Sequence, residues 1–234
     1  MIQRLPTLIA AVALLWCDSA AAGPLPPAEE ARVLAALRAK VRKAWKKYKG
    51  VSARRKVVIQ ELDPKDGRLK KKREVGQRFV LRFGSRPTVK ITSCKIDGKP
   101  ASHSECKPKR KRPPPYPVFG PRAGTHYRLR ISGTARIKGK PCHVLSVLPK
   151  KRTARHLRGR AYVTKQGLRL VKVEGRPASF PFGLKAFYIQ IYFWERDGVP
   201  LESWGRIDMR VRVPLIVDLR LVTIFRARSH KLLR

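Results

Sequence analysis

Acidic residues are scarce in this sequence. Its 234 residues include 15 Asp and Glu against 55 Lys and Arg, which gives a formal net charge of +40. The closest acidic pairs outside the predicted helix start, Asp63/Asp66 and Glu195/Asp197, both fall in turn motifs. Asp is common in turns because its side chain hydrogen-bonds the nearby backbone. A carboxylate pair for acid–base catalysis is therefore not predicted.

Short motifs of nucleotide-binding and hydrolytic enzymes are missing as well. The sequence contains no G-x-x-x-x-G-K-[ST] phosphate loop, no G-x-G-x-x-G and no G-x-S-x-G. Its five histidines have no Asp or Ser constellation near them in the sequence. We therefore predict a protein that is not an enzyme and that needs no cofactor.

Cysteine is rare, and no C-x-x-C or H-x-x-x-H spacing of a zinc site occurs. One ligand-rich stretch, from His103 to Cys106, lacks a fourth ligand, so no metal site is predicted. Cys94 and Cys106 flank the turn-like stretch KIDGKPASHSE and are predicted to form a disulfide, which an exported protein can keep. Cys142 lies in an apolar strand pattern and is predicted to be a buried free thiol.

Apolar runs long enough to cross a bilayer, about 20 residues, are absent from the sequence. The apolar stretch from Leu8 to Trp16 follows the basic Arg4 and precedes the small residues Ala20-Ala21-Ala22, the pattern of a cleaved signal peptide. We predict that residues 1–22 are this signal peptide, that the protein is exported to the periplasm, and that the mature chain has no transmembrane segment. The alternative is an uncleaved membrane anchor.

One amphipathic helix is predicted, from about Ala28 to Tyr48. Its apolar residues recur at three- and four-residue spacing, which places them on one face: Leu34, Leu37, Val41, Trp45 and Tyr48. Acidic residues lie in the first turn and lysines in the last, as the helix dipole favours, and Gly50 is a candidate stop. The apolar face indicates packing against a sheet; the alternative is a helix lying on a membrane surface.

After Gly50 the sequence alternates between apolar and basic residues and is interrupted by turn motifs such as Ile96-Asp97-Gly98 and Arg196-Asp197-Gly198. A period of two is typical of an antiparallel sheet with one dry and one wet face. We count about ten strands, too many for a flat sheet. The predicted fold class is therefore mainly β (α+β): a curled antiparallel sheet forming an open, incomplete β-barrel packed on the N-terminal helix, with residues 23–234 as a single domain.

The large positive charge predicts binding to polyanions. It is densest in a Pro-rich loop at about 107–122, where Arg110, Lys111 and Arg112 are the predicted contact residues. Nucleic acid is not favoured as a partner, because aromatic residues such as Phe79 and Tyr127 alternate onto the face opposite the arginines. An anionic membrane surface or lipopolysaccharide suits an exported protein better. The alternative is that the charge reflects solubility or composition alone.

A run of strand and turn motifs from Tyr127 to Ile207 resembles a known family. It comprises a strand ending in Gly, the turn GKPC at 139–142, the stretches RGRAYV at 158–163 and LVKVEG at 170–175, and the hairpin pattern YIQIYFWERDGVPLESWGRI. These motifs resemble LolA-like, outer-membrane-lipoprotein-sorting-type periplasmic proteins, and the resemblance extends over about Ser52 to the C-terminus. It implies an open antiparallel barrel around a helix, with a concave apolar face that shelters acyl chains.

These observations together predict a periplasmic lipid- or lipoprotein-binding protein of the carrier or sorting type. Acyl chains would lie in an apolar hollow between the curled sheet and the helix. The predicted wall of this hollow consists of alternating residues near the hairpin pattern: Phe187, Ile189, Ile191, Phe193 and Trp194. The alternative function is a cationic envelope protein with a fully packed core that binds anionic polymers or lipopolysaccharide.

Overall fold

The computed structural model describes residues 23–83, 85, 87–107, 116–120, 122–214 and 216–234. The predicted signal peptide, residues 1–22, lies outside the described residues. So do the predicted polyanion contacts Arg110, Lys111 and Arg112, within the segment 108–115. Both predictions therefore remain predictions.

The predicted helix is present as α1, Pro27–Lys47. Glu29 and Glu30 lie in its first turn and Lys46 and Lys47 in its last, which matches the helix dipole. Of the predicted stripe, Leu34, Leu37 and the capping residue Tyr48 are buried, whereas Val41 and Trp45 are half-buried. Ala44, which was not predicted, is buried as well. Gly50 is not the stop, because the helix already ends before the extended Tyr48. Gly50 instead begins the first strand, where an added Cβ would lie 2.3 Å from the Leu81 carbonyl oxygen of the neighbouring strand.

Within the described residues, eleven antiparallel strands form one curled, unclosed sheet, so the predicted fold class is confirmed. The sheet order is β4-β3-β2-β1-β11-β10-β9-β8-β7-β6-β5, in which the last strand of the chain joins the two halves. Two further short helices are α2, His103–Cys106, and α3, Ala123–His126. The strands are β1 Gly50–Leu62, β2 Leu69–Arg82, β3 Thr88–Ile96, β4 Lys99–Pro100, β5 Tyr127–Ile137, β6 Lys140–Pro149, β7 Leu157–Thr164, β8 Leu170–Pro177, β9 Leu184–Arg196, β10 Val199–Val213 and β11 Val217–Leu233.

Several hairpins turn at the predicted motifs. Asp97-Gly98 and Asp197-Gly198 both adopt positive φ at their two residues, 51° and 84° in the first turn and 52° and 80° in the second. This is the backbone of the tight two-residue turn that suits the twist of antiparallel strands, and Asp-Gly is a favoured pair for it. The Asp197 carboxylate also accepts a hydrogen bond of 2.7 Å from the Tyr48 hydroxyl, which ties the end of α1 to this turn.

Most of the core lies on one side of the sheet, which we call the inner face; a smaller buried cluster of Cys142, Val144 and Tyr162 lies on the other side. Residues paired directly across antiparallel strands point to the same side, and one such row crosses ten strands: Cys94, Val75, Val57, Phe225, Gly205, Ile191, Val173, Ala161, Leu145 and Ile131. Helix α1 covers the β5–β8 end of this face, where Leu34 and Leu37 belong to the same core cluster as Ile131 and Leu145. Helix α2 covers the other end, where Cys106 packs with Val57, Val75 and Phe225.

The predicted disulfide between Cys94 and Cys106 is confirmed, and Cys142 is a buried free thiol as predicted. The bridge fastens α2 onto β3 and so closes one end of the inner face. It joins residues 12 positions apart. Restricting the unfolded chain by a loop of this length stabilises a protein by about 3 kcal/mol in the chain-entropy description.

Loss of this bridge is expected to lower the free energy of unfolding by about 3 kcal/mol. The measurement is urea denaturation of the oxidised protein, of the same protein with a thiol reductant, and of the variant C94S/C106S. The reduced protein and the variant should unfold at the same lower urea concentration. If the reductant leaves the midpoint unchanged, the bridge does not stabilise this part of the fold.

Candidate functional site: the open apolar strip of the inner face

Part of the inner face lies outside the core. Strands β9, β10 and β11 extend beyond the core row toward the β8–β9 loop and the β10–β11 turn. Their inner-facing side chains there are apolar and half-buried, and they belong to none of the core clusters formed by the described residues. We call them the open strip, which consists of Leu184, Phe187, Ile189, Ile207, Met209, Val211, Leu219 and Leu221.

Strand register assembles the open strip from three distant parts of the sequence. Phe187 pairs with Met209, which pairs with Leu221 on the next strand. Ile189 pairs with Ile207 in the neighbouring row. Because paired side chains in an antiparallel sheet lie about 5 Å apart, the strip is a continuous apolar surface three strands wide.

The outer face of the same strands is ionic. Arg220 donates to Asp208 at 2.6 Å and Arg210 donates to Asp218 at 3.0 Å, with Arg206 3.4 Å from Asp208. The hydrogen bond from Arg220 lowers the pKa of Asp208, and the one from Arg210 lowers the pKa of Asp218. These ion pairs place charged side chains on the solvent-facing side of the strands, whereas the inner side of the same strands is apolar.

The five predicted wall residues are divided among different surroundings. Phe187 and Ile189 belong to the open strip. Ile191 packs against the α2 cluster and Phe193 against the α1 cluster, so both contribute to the core. Trp194 is 43% exposed and meets the His230 ring edge-on, with the ring centroids 5.5 Å apart.

The predicted hollow between the sheet and α1 is filled. Leu34 and Leu37 pack directly on inner-face residues that are almost completely buried, among them Leu145 and Val147. A cavity of about 10 Å³ remains beside Val41 and Phe119. This is room for one water molecule at most, and an acyl chain needs far more. The space beneath the helix therefore has no room for an acyl chain.

A second concavity, of about 220 Å³, lies where β8 and β9 separate. The two strands pair only from Lys172 to Gly175, and beyond this short ladder they diverge. Two of the predicted wall residues, Phe193 and Trp194, line this concavity. The rest of its lining is mixed and includes the basic Lys138, Lys140 and Arg169, the aromatic Tyr192, and the apolar Ile137, Leu170 and Val171. Glu195 is the acidic residue there, and it is paired with Lys40 at 2.8 Å and Arg169 at 3.8 Å.

A polar network centred on Glu174 lies next to this concavity on the outer face. The carboxylate accepts hydrogen bonds from the Tyr162 hydroxyl at 2.5 Å and the Tyr188 hydroxyl at 2.7 Å, and Lys172 lies 2.7 Å away. Burial and the bond to Glu174 raise the pKa of Tyr162 to about 12, and the same causes raise the pKa of Tyr188. Burial alone would raise the pKa of Glu174, but its three hydrogen-bond donors lower it. The Glu174 carboxyl thus stays ionised and the two tyrosine hydroxyls stay protonated at neutral pH, as in a structural network.

The described residues form neither a candidate metal cluster nor a membrane-spanning helix. No group of three or more His, Cys, Asp or Glu side chains that could hold a metal ion occurs among them. None of the helices in the described part of the chain is both long enough and apolar enough to pass through a bilayer.

The sequence could have indicated part of the open strip. The alternation in Met209-Arg210-Val211 and Asp218-Leu219-Arg220 marks these residues as one-sided strands. Their membership of the site depends on the pairing of β9 with β10 and of β10 with β11 in one particular register. That register follows from the fold and is not visible in any single strand.

This protein therefore belongs to the class whose fold is an open curled sheet, and it carries an apolar strip on the inner face of that sheet. No protein-family model and no curated protein matches the sequence. Solved structures with a similar fold include a LolA superfamily protein, NE2245, from Nitrosomonas europaea, at 12% identity and a TM-score of 0.44, covering 86% of this chain and 93% of that one. A domain assigned to outer membrane lipoprotein sorting, from Vibrio parahaemolyticus, has 10% identity and a TM-score of 0.48, with coverage of 88% and 92%.

A DUF1329 family protein from Desulfovibrio piger is also similar, at 12% identity and a TM-score of 0.36, with coverage of 85% of this chain and 92% of that one. LolA-like proteins, which the sequence resembles, are thus among the solved structures of similar fold. At these identities the likeness concerns the fold alone.

Proposed function

We propose that this is a non-enzymatic, exported periplasmic protein that binds the acyl chains of a lipid or lipoprotein on the open strip. The observation that carries the proposal is the strip itself: eight half-buried apolar side chains on the inner face, outside the core clusters of the described residues. Contact with an acyl chain would remove this surface from water, at ~0.8 kcal/mol per methylene group buried.

One basic side chain on the inner face, two strands from the strip, supports an anionic headgroup. Arg73 of β2 stands in the same inner-face row as Ile189, Ile207 and Ile59. It forms no ion pair with any of the residues that the structure describes. Neighbouring strands lie about 4.8 Å apart, so an acyl chain on β9 and β10 and a phosphate near β2 would be separated by a distance that one phospholipid spans.

The test is lipid binding by the mature protein and by the variants Phe187→Glu and Met209→Glu. We expect lipid extracted from the purified protein to contain acyl species, detected by native mass spectrometry. Both variants should bind lysophosphatidylglycerol at least ~10-fold more weakly, because a carboxylate in the strip must be desolvated by the acyl chain.

The matched control is Val89→Glu, which introduces the same charge at an exposed apolar position on β3, opposite Phe79 and at the end of the strands away from the strip. Val89→Glu should bind like the unmodified protein. All three variants should keep the circular dichroism and thermal unfolding of the original. Unchanged lipid binding by a folded Met209→Glu would contradict the proposal.

A second candidate is the cationic envelope protein with a packed core, which binds anionic polymers or lipopolysaccharide. The closely packed space beneath α1 favours it, since that space has no room for an acyl chain. Under this function the purified protein would contain no acyl species and would bind heparin or lipopolysaccharide only at low salt, where charge screening is weak.

A further inference from the structure

Three exposed large apolar side chains lie at the far end of the open strip, and two of them are the most exposed such side chains of the described residues. Phe182 is 91% exposed and Ile216 is 79% exposed, and Phe180 is exposed beside them in the β8–β9 loop. We call these three residues the rim patch. Large apolar side chains that stand clear of the protein surface often mark an interaction site.

Backbone contacts join the two segments that carry the rim patch. The Arg212 amide donates to the Gly183 carbonyl at 2.7 Å, and the Ile216 amide donates to the Val213 carbonyl at 3.1 Å. Gly183 has a φ of +81°, and a Cβ there would lie 2.9 Å from a Val213 methyl group. The β8–β9 loop is therefore held against the β10–β11 turn, and the rim patch projects from one edge of the sheet.

Positive charge surrounds the rim patch. Its two segments, residues 176–187 and 209–220, contain five basic residues and one acidic residue, Asp218. Asp218 is paired with Arg210 and lies 3.8 Å from Arg212, so the net charge of the two segments is +4. Lys185 is exposed next to the patch. The edge thus combines protruding apolar side chains with cationic groups.

An anionic bilayer surface matches both properties. Aromatic and branched aliphatic side chains enter the boundary between headgroups and acyl chains, while lysine and arginine bind lipid phosphates. We infer that the rim patch inserts into the surface of an anionic membrane. Because Val211 and Met209 continue inward from this edge on β10, insertion would bring the end of the open strip to the lipid. This last step depends on the proposed function; the insertion itself does not.

The experiment is sedimentation of the mature protein with vesicles of about one part phosphatidylglycerol to two parts phosphatidylcholine, at physiological ionic strength. The test variant is F182S/I216S. Its partition onto the vesicles should fall at least ~10-fold, because two inserted apolar side chains are lost and no charge changes. Vesicles of phosphatidylcholine alone should bind the original protein far more weakly.

The control variant is V89S/W194S, which removes two exposed apolar side chains at the opposite end of the strands and should sediment like the original. Equal sedimentation of F182S/I216S and the original would overturn the inference, since general charge attraction would then suffice. Absence of vesicle binding by the original would overturn it too, and would leave a protein partner for the patch.

Solution binding of lysophosphatidylglycerol separates this inference from the proposed function. F182S/I216S should retain that binding and lose sedimentation with vesicles. Met209→Glu should lose the binding of lysophosphatidylglycerol in solution and retain sedimentation with vesicles. Failure of one proposal therefore leaves the other independently testable.

Discussion

Replacing Glu174 by alanine is expected to lower the free energy of unfolding by about 3 kcal/mol, which is the range for breaking one side of a buried ion pair. The side chains of Glu174 and Lys172 are 16% and 11% exposed. Removing the carboxylate would leave the Lys172 ammonium in a poorly hydrated site and take the acceptor from the hydroxyls of Tyr162 and Tyr188. Chemical denaturation of the single variant measures the loss.

Two comparisons test the physical reason. The double variant K172M/E174L should be much less destabilised than Glu174→Ala, because it leaves no unpaired charge. Glu74→Ala, which removes a more exposed glutamate paired with Lys72 at 2.6 Å, should change stability far less. Equal losses for Glu174→Ala and the double variant would show that packing, and not the charge network, is responsible.

The effect of Glu174→Ala should also depend on pH. The pKa of Glu174 is lowered in the folded protein, so its carboxylate stabilises the fold above the ordinary carboxyl pKa. That contribution is lost as the pH falls through the lowered value and the group becomes protonated. The difference in stability between the original and Glu174→Ala should therefore be full at neutral pH and shrink toward strongly acidic pH.

Local sequence patterns predicted most elements of this fold, because those elements depend on neighbouring residues. The period of Leu34 and Leu37 is a helical property, and Asp97-Gly98 specifies a turn through its own backbone. The disulfide could be predicted because Cys94 and Cys106 flank a single turn. Each of these features is decided within about a dozen residues.

Features that depend on distant strands could not be predicted in the same way. Pairing of β1 with β11, which joins the two halves of the sheet, connects Val57 to Phe225 across most of the chain. The alternation of β9 correctly grouped Phe187 with Ile189, but it could not show that Ile191 and Phe193 are covered by other elements. That difference arises because α1 and α2 cover only the two ends of the inner face.

The prediction of a hollow beneath α1 was wrong for a related reason. An apolar helix face and an apolar sheet face imply contact, and they do not reveal whether the side chains fill the space between them. Here Leu37 from the helix and Phe193 from the diverging strand β9 both enter the same core cluster. The open strip exists because no comparable side chains from the described elements reach the far ends of β9, β10 and β11.

Replacing Phe225 by alanine should destabilise the fold by about 3–5 kcal/mol, the usual cost of removing a buried phenyl ring. Phe225 is 8% exposed and packs in the α2 cluster with Val57 and Ile191. Its ring lies over Gly205, where a Cβ would come within 2.3 Å of two ring carbons. The loss would leave a cavity on the strand that joins the two halves of the sheet. Urea denaturation measures the cost.

Phe182→Ala is the matched control, since it removes the same ring from a position that is almost fully exposed; it should change stability by less than about 0.5 kcal/mol. Phe225→Leu should cost less than Phe225→Ala, because leucine fills part of the cavity. A loss below about 1 kcal/mol for Phe225→Ala would mean that the ring is not part of a close-packed core. Phe225 faces the same side of the sheet as the open strip and lies two rows from Leu221 on β11. A close-packed core around Phe225 would therefore also hold the strip in place.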